Sequence, residues 1–307
     1  MKKICIVGCG AIGSIFAGHL ARGGEVEVFA YDTAVPHVDA INQHGLRISG
    51  AADFTARFNA STDAKKIPSC DFGIVATKAI HTGSAMKQAK TIFGEISAVC
   101  SVQNGVGNEE IIAESVKYVL RGTTFPAGHI IEPGHVGYDI AGETWIGPFE
   151  PTKTPMKMVK ELAGFLTASG MLTHALPDAR GAQWSKLIFN AGTNAVGALT
   201  QLDHGAATRF PPTGELFNAV IDEGLAVAKA MGIKPHNDPK QMVIKAANAP
   251  GKHKSSMLQD VLAGRLTEVD FMNGALVKEG ARLGVPTPLN KALWALVKGL
   301  EHSHSGA

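Results

Sequence analysis

The sequence ICIVGCGAIG at residues 4–13 decides the fold, because a short apolar run leads directly into a turn of regularly spaced glycines. A continuous apolar run of this length is typical of a strand that is buried on both faces of a parallel sheet. Residues 14–22 are predicted to form a helix that ends at the glycine pair 23–24. The pattern Gly-x-Gly-x-x-Gly between a strand and a helix indicates a dinucleotide-binding turn.

Each glycine of this pattern has its own physical purpose. The first permits a tight turn, the second lets the backbone approach a pyrophosphate, and the third lets the helix pack close to the strand. The free N–H groups at the helix N-terminus then attract the phosphates. The alternative is a glycine turn that only connects a strand to a helix. We expect a cofactor site at Gly8, Cys9, Gly10, Ala11, Ile12 and Gly13.

An acidic residue follows the predicted second strand, residues 26–30, at the place where such sites contact the adenosine ribose. This residue, Asp32, lies 19 positions after Gly13. Its carboxylate can accept a hydrogen bond from the ribose 2′-hydroxyl of NAD and would repel the 2′-phosphate of NADP. The sequence has no arginine between residues 23 and 46 to compensate that charge. These residues therefore favour NAD as the cofactor.

Strand and helix patterns alternate through the first half of the chain. Further buried strands are predicted at residues 72–76 and 96–102, with helices at 84–92 and 108–120. This alternation predicts an α/β fold with an N-terminal Rossmann-type, doubly wound sheet. Residues 122–147 are expected to form short antiparallel strands that extend one edge of that sheet.

The second half of the chain is helical almost throughout, which predicts an all-α C-terminal domain. The composition changes near Pro177, so we expect a dinucleotide-binding domain at residues 1–177 and a helical substrate and catalytic domain at residues 178–307. The predicted helices of the second domain are residues 179–199, 214–231, 240–247, 256–263, 267–283 and 290–300.

The composition restricts the class of protein. Of 307 residues, 45% are hydrophobic, and 29 basic against 27 acidic residues leave a net charge of +2. This balance gives no electrostatic reason to expect nucleic acid or an anionic membrane as a partner. No apolar run reaches the roughly 18 residues of a membrane span. The cysteines, Cys5, Cys9, Cys70 and Cys100, lack metal-site or disulfide spacing, so we expect buried thiols, no metal and a reducing, cytoplasmic compartment.

One predicted helix of the second domain carries polar side chains at a spacing of four residues. Lys186, Asn190 and Asn194 therefore share one helix face. Almost every other residue of this helix is apolar or small, so the helix is expected to be buried on most sides. Such a polar stripe lines a cleft, or else it is a single solvated edge.

Two further polar positions have two interpretations each. Ser256 and Gln259 have the spacing of a capping box at the start of a helix. Glu268 falls in the first turn of the predicted helix 267–283, where the helix dipole favours an acidic residue. Helix capping and ligand binding explain each position equally well.

Taken together, these motifs resemble the ketopantoate reductase (2-dehydropantoate 2-reductase) family. Besides the glycine turn and the polar stripe, the resemblance rests on TKA at residues 77–79, QNG at 103–105, GTT at 122–124, SSMLQD at 255–260 and TEVD at 267–270. The resemblance implies an NAD(P)-dependent oxidoreductase of pantothenate biosynthesis that acts on a CH–OH group. Its reaction would be the reduction of a small 2-oxo acid, ketopantoate, to the 2-hydroxy acid pantoate.

The resemblance also implies a role for individual residues. Lys186 would be the general acid that protonates the ketone oxygen. Glu268 would contact the cofactor ribose and orient Lys186. The implied substrate ligands are Asn190, Asn194 and Ser256, and the implied cofactor contacts near the nicotinamide are Lys78, Asn104 and the backbone of Gly128.

Two positions depart from the family pattern. Many members carry an arginine for the NADP phosphate at the end of the second strand, where this chain has Tyr31 followed by Asp32. Some members have an asparagine where this chain has His204. Two alternatives therefore stay open. The cofactor can be NADP, the usual cofactor of the family, and the protein can be an NAD-linked dehydrogenase of a different 2-hydroxy acid.

A cofactor-binding regulator without turnover is the third alternative. Lys186 and Glu268 disfavour it, because binding alone needs no proton donor. The apolar helix faces of the second domain are sufficient for a homodimer.

Overall fold

The computed structural model describes residues 1–248 and 254–304, and the chain divides into two compact units. The first unit comprises Met1–Gln103 and Asn108–Ala179, and the second comprises Asn104–Gly107 and Arg180–Ala307. The short segment Asn104–Gly107 therefore differs from the sequence-based division, which placed it in the first domain. It belongs to the second unit because the N–H of Val106 donates to the carbonyl oxygen of Phe271 at 3.1 Å.

The first unit combines strands and helices. Its strands are β1 (Lys2–Val7), β2 (Val26–Tyr31), β3 (Leu46–Gly50), β4 (Phe54–Ala56), β5 (Asn59–Ser61), β6 (Cys70–Val75), β7 (Phe93–Ser101), β8 (Tyr118–Thr124), β9 (Ala127–Glu132), β10 (His135–Ile140), β11 (Thr144–Pro148) and β12 (Thr173–Ala175). Its α-helices are α1 (Ala11–Gly23), α2 (Val35–His44), α3 (Thr82–Ala89), α4 (Asn108–Ala113) and α5 (Met156–Ala168). Short 3-10 helices lie at Ala64–Lys66, Ala79–His81, Lys90–Ile92 and Glu150–Thr152.

The larger sheet has eight strands in the order β12-β11-β8-β7-β6-β1-β2-β5. The strands from β5 to β8 pair in parallel, with β1 between β2 and β6. The chain runs from β1 to β2 and β5 on one side and then crosses to β6, β7 and β8 on the other. This order defines a doubly wound fold with its ligand-binding edge at the carboxyl ends of the strands. The predicted Rossmann-type architecture is confirmed.

Two predictions for the chain around residue 120 were wrong. The predicted helix 108–120 ends at Ala113, because Tyr118–Thr124 forms β8 and pairs in parallel with β7. Of the strands that follow, β11 runs antiparallel to β8 and extends the sheet as expected. In contrast, β9 and β10 belong to a separate four-stranded sheet of order β4-β3-β10-β9, whose other two strands were not predicted.

The glycine turn shows which glycines the fold itself requires. Gly8 adopts a φ of +91°, and a Cβ there would lie 2.5 Å from the Cγ2 atom of Thr77. A Cβ on Gly13 would lie only 1.9 Å from the carbonyl oxygen of Gly8, so this glycine lets α1 approach β1. A Cβ on Gly10 would meet no atom within 4 Å. The first and third glycines are therefore structural, and the second faces open space.

The second unit is helical, as predicted. Its α-helices are α6 (Arg180–Thr200), α7 (His204–Arg209), α8 (Pro211–Ala230), α9 (Pro239–Ala247), α10 (Ser256–Leu262), α11 (Asn273–Leu283) and α12 (Pro288–His304), with a 3-10 helix at Val269–Phe271. Helix α6 lies at the centre of the unit, where Leu187, Ile188 and Ala191 are fully or almost fully buried. Gly192 lets α8 approach, since a Cβ there would lie 2.7 Å from Cγ1 of Ile221.

Two local predictions in this unit were wrong. The helix predicted at residues 267–283 is interrupted: Glu268 precedes a short 3-10 helix, and α11 begins only at Asn273. The residue that caps α10 is Ser255, whose Oγ accepts the N–H of Leu258 at 3.2 Å. Ser256 is the first residue of that helix. Ser256 therefore does not have the capping position that the sequence offered, and Glu268 occupies the N-cap of the 3-10 helix without a side-chain capping hydrogen bond.

Substitutions in the turn are expected to separate its structural glycine from its open one. Gly13→Ala should lower the free energy of unfolding by about 3 kcal/mol, since the added methyl group meets backbone that cannot move aside. Gly10→Ala should cost less than about 1 kcal/mol, the difference between glycine and alanine as a helix N-cap. Denaturant unfolding of both variants measures this, and equal losses would contradict the assignment.

Candidate active site

The N-terminus of α1 is open at the glycine turn. Gly10 is the N-cap residue, and no side chain accepts a hydrogen bond from the N–H groups of the first helical turn. The absence of neighbours around the Cβ position of Gly10 leaves room in front of these donors. Backbone N–H groups together with the positive end of the helix dipole suit a pyrophosphate. The turn therefore fits a dinucleotide.

Asp32 lies at the end of β2 and is half-buried. Its Oδ2 atom accepts the N–H of Cys9 at 2.6 Å, and its Oδ1 atom accepts the N–H of Ala34 at 2.8 Å. The Asp32 carboxylate thus fixes the orientation of the glycine turn, which is a role that the sequence did not predict. Each carboxylate oxygen can accept more than one hydrogen bond, so contact with a ribose hydroxyl stays a prediction that this geometry permits.

The carbonyl oxygen of Cys9 is held by a hydrogen-bond network around a histidine, which the sequence did not reveal. The N–H of Gly134 donates to Nδ1 of His37 at 3.0 Å, so the remaining ring proton lies on Nε2 and faces Ser14 Oγ at 3.1 Å. Ser14 Oγ in turn donates to the carbonyl oxygen of Cys9 at 2.9 Å. His37 lies on α2, which was not predicted, so no sequence signal pointed to it.

The loops after β6 and β7 are joined by Gln103. Its Nε2 atom donates to the carbonyl oxygen of Thr77 at 2.9 Å and to Thr82 Oγ1 at 2.7 Å. Thr77 also contacts the glycine turn through its closeness to Gly8. Lys78 follows directly and is half-buried at the carboxyl edge of the sheet. Gln103 therefore fixes the backbone that carries Lys78, although the sequence assigned it no role.

Gly128 lies in β9, in the smaller sheet. A Cβ there would lie 2.4 Å from the carbonyl oxygen of Gly137 and 2.9 Å from Cδ1 of Ile15 on α1. The packing of β9 against α1 thus requires a glycine at this position. Its backbone contact with the nicotinamide stays a prediction.

In the helical unit, α6 carries the polar stripe. Asn190 and Asn194 are only 6% and 3% exposed, and Lys186 is half-buried. Because both asparagines are buried, this face is not a solvated edge. Burial lowers the pKa of Lys186 to about 8, while the negative charge of Glu268 acts in the opposite direction.

Glu268 is brought to this lysine by the irregular segment before α11. It is 4% exposed, and its Oε2 atom accepts Nδ2 of Asn104 at 3.3 Å. Asn104 reaches Glu268 because Gly105, at a φ of +83°, lets the backbone pass within van der Waals contact of Phe271. The structure therefore assembles three predicted site residues that are far apart in the sequence, namely Asn104, Lys186 and Glu268.

Two of the three implied substrate ligands, Asn190 and Asn194, also lie along α6. Nδ2 of Asn194 donates weakly to the sulfur of Met272 at 3.8 Å. Within residues 1–248 and 254–304, the side-chain amide of Asn190 makes no hydrogen bond. Ser256 is half-buried, and its neighbour Ser255 packs against Gly197 of α6, one turn beyond Asn194.

His204, the second departure from the family pattern, stacks on Phe189. Their ring centroids are 5.8 Å apart and the ring planes differ by 22°. Phe189 directly precedes Asn190 on α6. His204 is thus packed next to the polar stripe.

Metal binding and membrane spanning find no support in the part of the chain that the structure describes. No three histidine, cysteine or acidic side chains there form a group that could hold a metal ion. All four cysteines are buried and free, and burial raises the pKa of Cys9 to about 12. None of the helices within these residues combines the length and apolar character needed to cross a membrane.

An open glycine turn at a central parallel strand, together with a helical unit that buries a lysine beside a carboxylate, defines a dinucleotide-dependent oxidoreductase. Two family models match the chain: ketopantoate reductase PanE/ApbA over residues 4–151, and its C-terminal counterpart over residues 178–301. The chain belongs to the ketopantoate reductase family.

Individual relatives agree with this family. A 2-dehydropantoate 2-reductase of Pyrococcus abyssi is 33% identical over 302 residues, which cover 97% of this chain and 98% of the relative. A PanE/ApbA family ketopantoate reductase from Ralstonia eutropha JMP134 has a TM-score of 0.89 at 32% identity, with 99% and 100% of the two chains covered.

A second solved structure of similar fold carries a different name. The ternary structure of D-mandelate dehydrogenase with NADH and anilino(oxo)acetate has a TM-score of 0.90 at 26% identity, and it covers 99% of this chain and 100% of that one.

The His37 network predicts an acid-sensitive fold. Burial lowers the pKa of His37, although the nearby Asp32 opposes the shift. The folded state therefore binds this proton less readily than the unfolded state, so stability is highest above pH 6.5, the ordinary histidine pKa, and falls as the pH decreases below it. His37→Gln should reduce this acid-induced loss. Unfolding temperatures measured from about pH 7.5 to about pH 5, a range that spans the ordinary histidine pKa, test this expectation.

The exposed His44, on the same helix, provides the control. His44→Gln should leave the pH dependence of the unfolding temperature unchanged. The assignment fails if His37→Gln and His44→Gln follow the same curve as the unsubstituted protein.

Proposed function

We propose that this protein reduces a 2-oxo acid to a 2-hydroxy acid with a reduced nicotinamide cofactor, and that its substrate is ketopantoate, which is converted to pantoate. The observation that carries the proposal is the group formed in the helical unit by the half-buried Lys186 and Asn104 with the buried Glu268. A group of this kind supplies a proton donor that is partly shielded from water.

Lys186 is the proposed general acid. The bound nicotinamide supplies a hydride to the carbonyl carbon of the substrate. The ketone oxygen gains negative charge in the transition state, and an adjacent ammonium group both stabilises this charge and donates the proton. With a pKa of about 8, Lys186 is mostly protonated at neutral pH and gives up its proton more readily than an ordinary lysine.

Glu268 is proposed to keep Lys186 protonated and oriented. Its negative charge raises the pKa of the lysine against the effect of burial. Asn104 donates to one carboxylate oxygen and thereby restricts the rotation of the Glu268 side chain. The other carboxylate oxygen is then held in a fixed direction relative to Lys186. Proton transfer by a positioned group needs such a fixed geometry.

Asn190, Asn194 and Ser256 are proposed to bind the polar groups of the substrate. Asn190 is only 6% exposed, and its side-chain amide makes no hydrogen bond among the described residues, so the amide is available to a bound carboxylate or hydroxyl group. Asn194 has only a weak sulfur acceptor, which a substrate oxygen would outcompete.

NADH is the proposed reductant. Asp32 places a negative charge where the 2′-phosphate of NADPH would lie, and its two hydrogen bonds to backbone N–H groups hold it there. A related structure of 26% identity, D-mandelate dehydrogenase, contains NADH. Lys78 and the backbone of Gly128 are proposed to contact the nicotinamide half of the cofactor.

A second candidate is an NAD-linked dehydrogenase of a different 2-hydroxy acid. His204, stacked on Phe189 beside Asn190, favours this candidate, because a bulky aromatic group adjoins the proposed substrate ligands. Rates with ketopantoate, 2-oxo-isovalerate and phenylglyoxylate distinguish the two candidates. A regulator without turnover would oxidise NADH with none of them. We further propose that the protein is cytoplasmic and forms a homodimer.

The titration of Lys186 predicts the pH dependence of the reaction. Reduction requires the protonated lysine, so its kcat should fall as the pH rises through about 8, whereas oxidation of the 2-hydroxy acid should accelerate over the same range. Lys186→Met should lower kcat by about 10²–10⁴-fold and remove this pH dependence. The same variant should bind NADH normally but unfold at a lower temperature, since it leaves the buried carboxylate of Glu268 without its positive partner. Unchanged turnover would exclude Lys186 as the acid.

The position of Asp32 predicts cofactor preference. The unsubstituted protein should show a kcat/KM for NADH that is at least about tenfold higher than for NADPH, the size expected for repulsion between two partly solvated negative charges. Asp32→Asn keeps one acceptor for the Cys9 N–H group but removes the charge, so the preference should shrink. Steady-state kinetics with both cofactors tests this, and a preference of the unsubstituted protein for NADPH would contradict it.

A further inference from the structure

The backbone immediately before Glu268 is held by the last helix of the chain. The N–H and the Oγ1 of Thr267 both donate to Oε1 of Glu301, at 2.7 Å and 2.6 Å. Thr267 is 1% exposed and Glu301 is 7% exposed, so both hydrogen bonds are shielded from water. A charged acceptor makes such bonds stronger than those between neutral groups.

The backbone after Glu268 is held by the same helix. Nζ of Lys298 lies 2.8 Å from Oε2 of Glu301 and 3.0 Å from Oδ2 of Asp270. Nε1 of Trp294 donates to the other carboxylate oxygen of Asp270 at 2.6 Å. Helix α12 therefore contacts the chain on both sides of Glu268, and Glu301 joins the two contacts.

The segment around Glu268 has little regular structure of its own. Glu268 precedes a 3-10 helix of three residues, and α11 begins at Asn273. Within the segment, the N–H of Phe271 donates to the carbonyl oxygen of Glu268, and the N–H of Val269 donates to Thr267 Oγ1. Short 3-10 turns have poor hydrogen-bond geometry and few internal bonds. The position of this backbone therefore depends on the partners outside it.

We propose that Glu301 is a positioning residue for the pair Lys186 and Glu268. By accepting both donors of Thr267, it fixes the backbone from which the Glu268 carboxylate reaches Asn104 and the lysine. Glu301 contacts Thr267 and Lys298, and in this proposal it acts through the backbone of Thr267. This inference rests on the proposed function in one respect, because the pair is the proposed proton donor and its partner.

Two substitutions at Glu301 separate this role from general packing. Glu301→Gln keeps a carbonyl oxygen that can accept both donors of Thr267, and loses only the charge that pairs with Lys298. Glu301→Leu removes the acceptor and leaves the Thr267 donors buried without a partner. The matched control is Glu279→Gln, which removes a surface ion pair to Arg282 of the same i, i+3 type on α11.

Three quantities are measured on the full-length protein. The first two are kcat and KM for ketopantoate with NADH. The third is the pH at which Lys186 becomes half-reactive towards acetic anhydride, read from the acetylated peptide by mass spectrometry. This reactivity needs no turnover, so it tests the position of Glu268 even if ketopantoate is not the substrate.

Glu301→Leu should lower kcat at least tenfold with KM changed less than threefold, sizes set by the loss of an oriented proton donor with substrate binding retained. It should also make Lys186 reactive at lower pH, because the opposing charge of Glu268 has moved away. Glu301→Gln should restore most of the turnover and the original reactivity profile. Glu279→Gln should match the unsubstituted protein in all three quantities.

Three outcomes would overturn the inference. The first is a Glu301→Leu variant that unfolds at lower temperature but keeps kcat and the Lys186 profile, which would make Glu301 a purely structural residue. The second is a Glu301→Gln variant as impaired as Glu301→Leu. The third outcome applies if Glu301→Leu does not fold. Thr267→Val then takes its place, with Thr267→Ser as its conservative partner. A Thr267→Val variant with the turnover and the Lys186 profile of the unsubstituted protein would overturn the inference.

Discussion

The attraction between Glu268 and the half-buried ammonium group of Lys186 is the interaction on which the proposed chemistry of the helical unit depends. Burial alone would drive the lysine towards its neutral form, and the negative charge of Glu268 opposes this. A buried carboxylate also needs partners for its own oxygens. The unit therefore has to hold Glu268 at one position without a regular helix, and it does so with Asn104 on one side and α12 on the other.

Side chains also hold the backbone in the Rossmann-type unit. The backbone N–H of Cys9 donates to Asp32 and the carbonyl oxygen of Cys9 accepts from Ser14, so both backbone polar groups of this residue are fixed by side chains. Through His37 this arrangement extends to Gly134 in the turn between β9 and β10 of the smaller sheet. The open N–H groups of the next turn are thus oriented before any phosphate arrives, which reduces the ordering cost of binding.

The parts of the fold and site that the sequence predicted are those with a local or periodic signal. The glycine turn, the buried strands and the stripe of Lys186, Asn190 and Asn194 each follow from spacing along a few turns of chain. The smaller sheet, α2 and the Thr267–Glu301 contact depend on pairing between distant segments, for which one sequence has no signal. The continuous helix predicted at residues 267–283 was wrong for the same reason, because contacts with α12 outweigh its helical pattern.

Two sets of contacts in the helical unit would control different properties of the reaction. Glu268, which acts on Lys186, is held through Asn104, Thr267 and Glu301, so under the proposed function a change at any of them should disturb proton transfer. His204 contributes a different interaction, a stacked contact with Phe189 on the flank of the stripe. A relative of nearly identical fold is a D-mandelate dehydrogenase, with an aromatic 2-hydroxy acid in its name. Under the proposed function, the aromatic contact beside the stripe, rather than the lysine with its carboxylate, is therefore where substrate choice would be set.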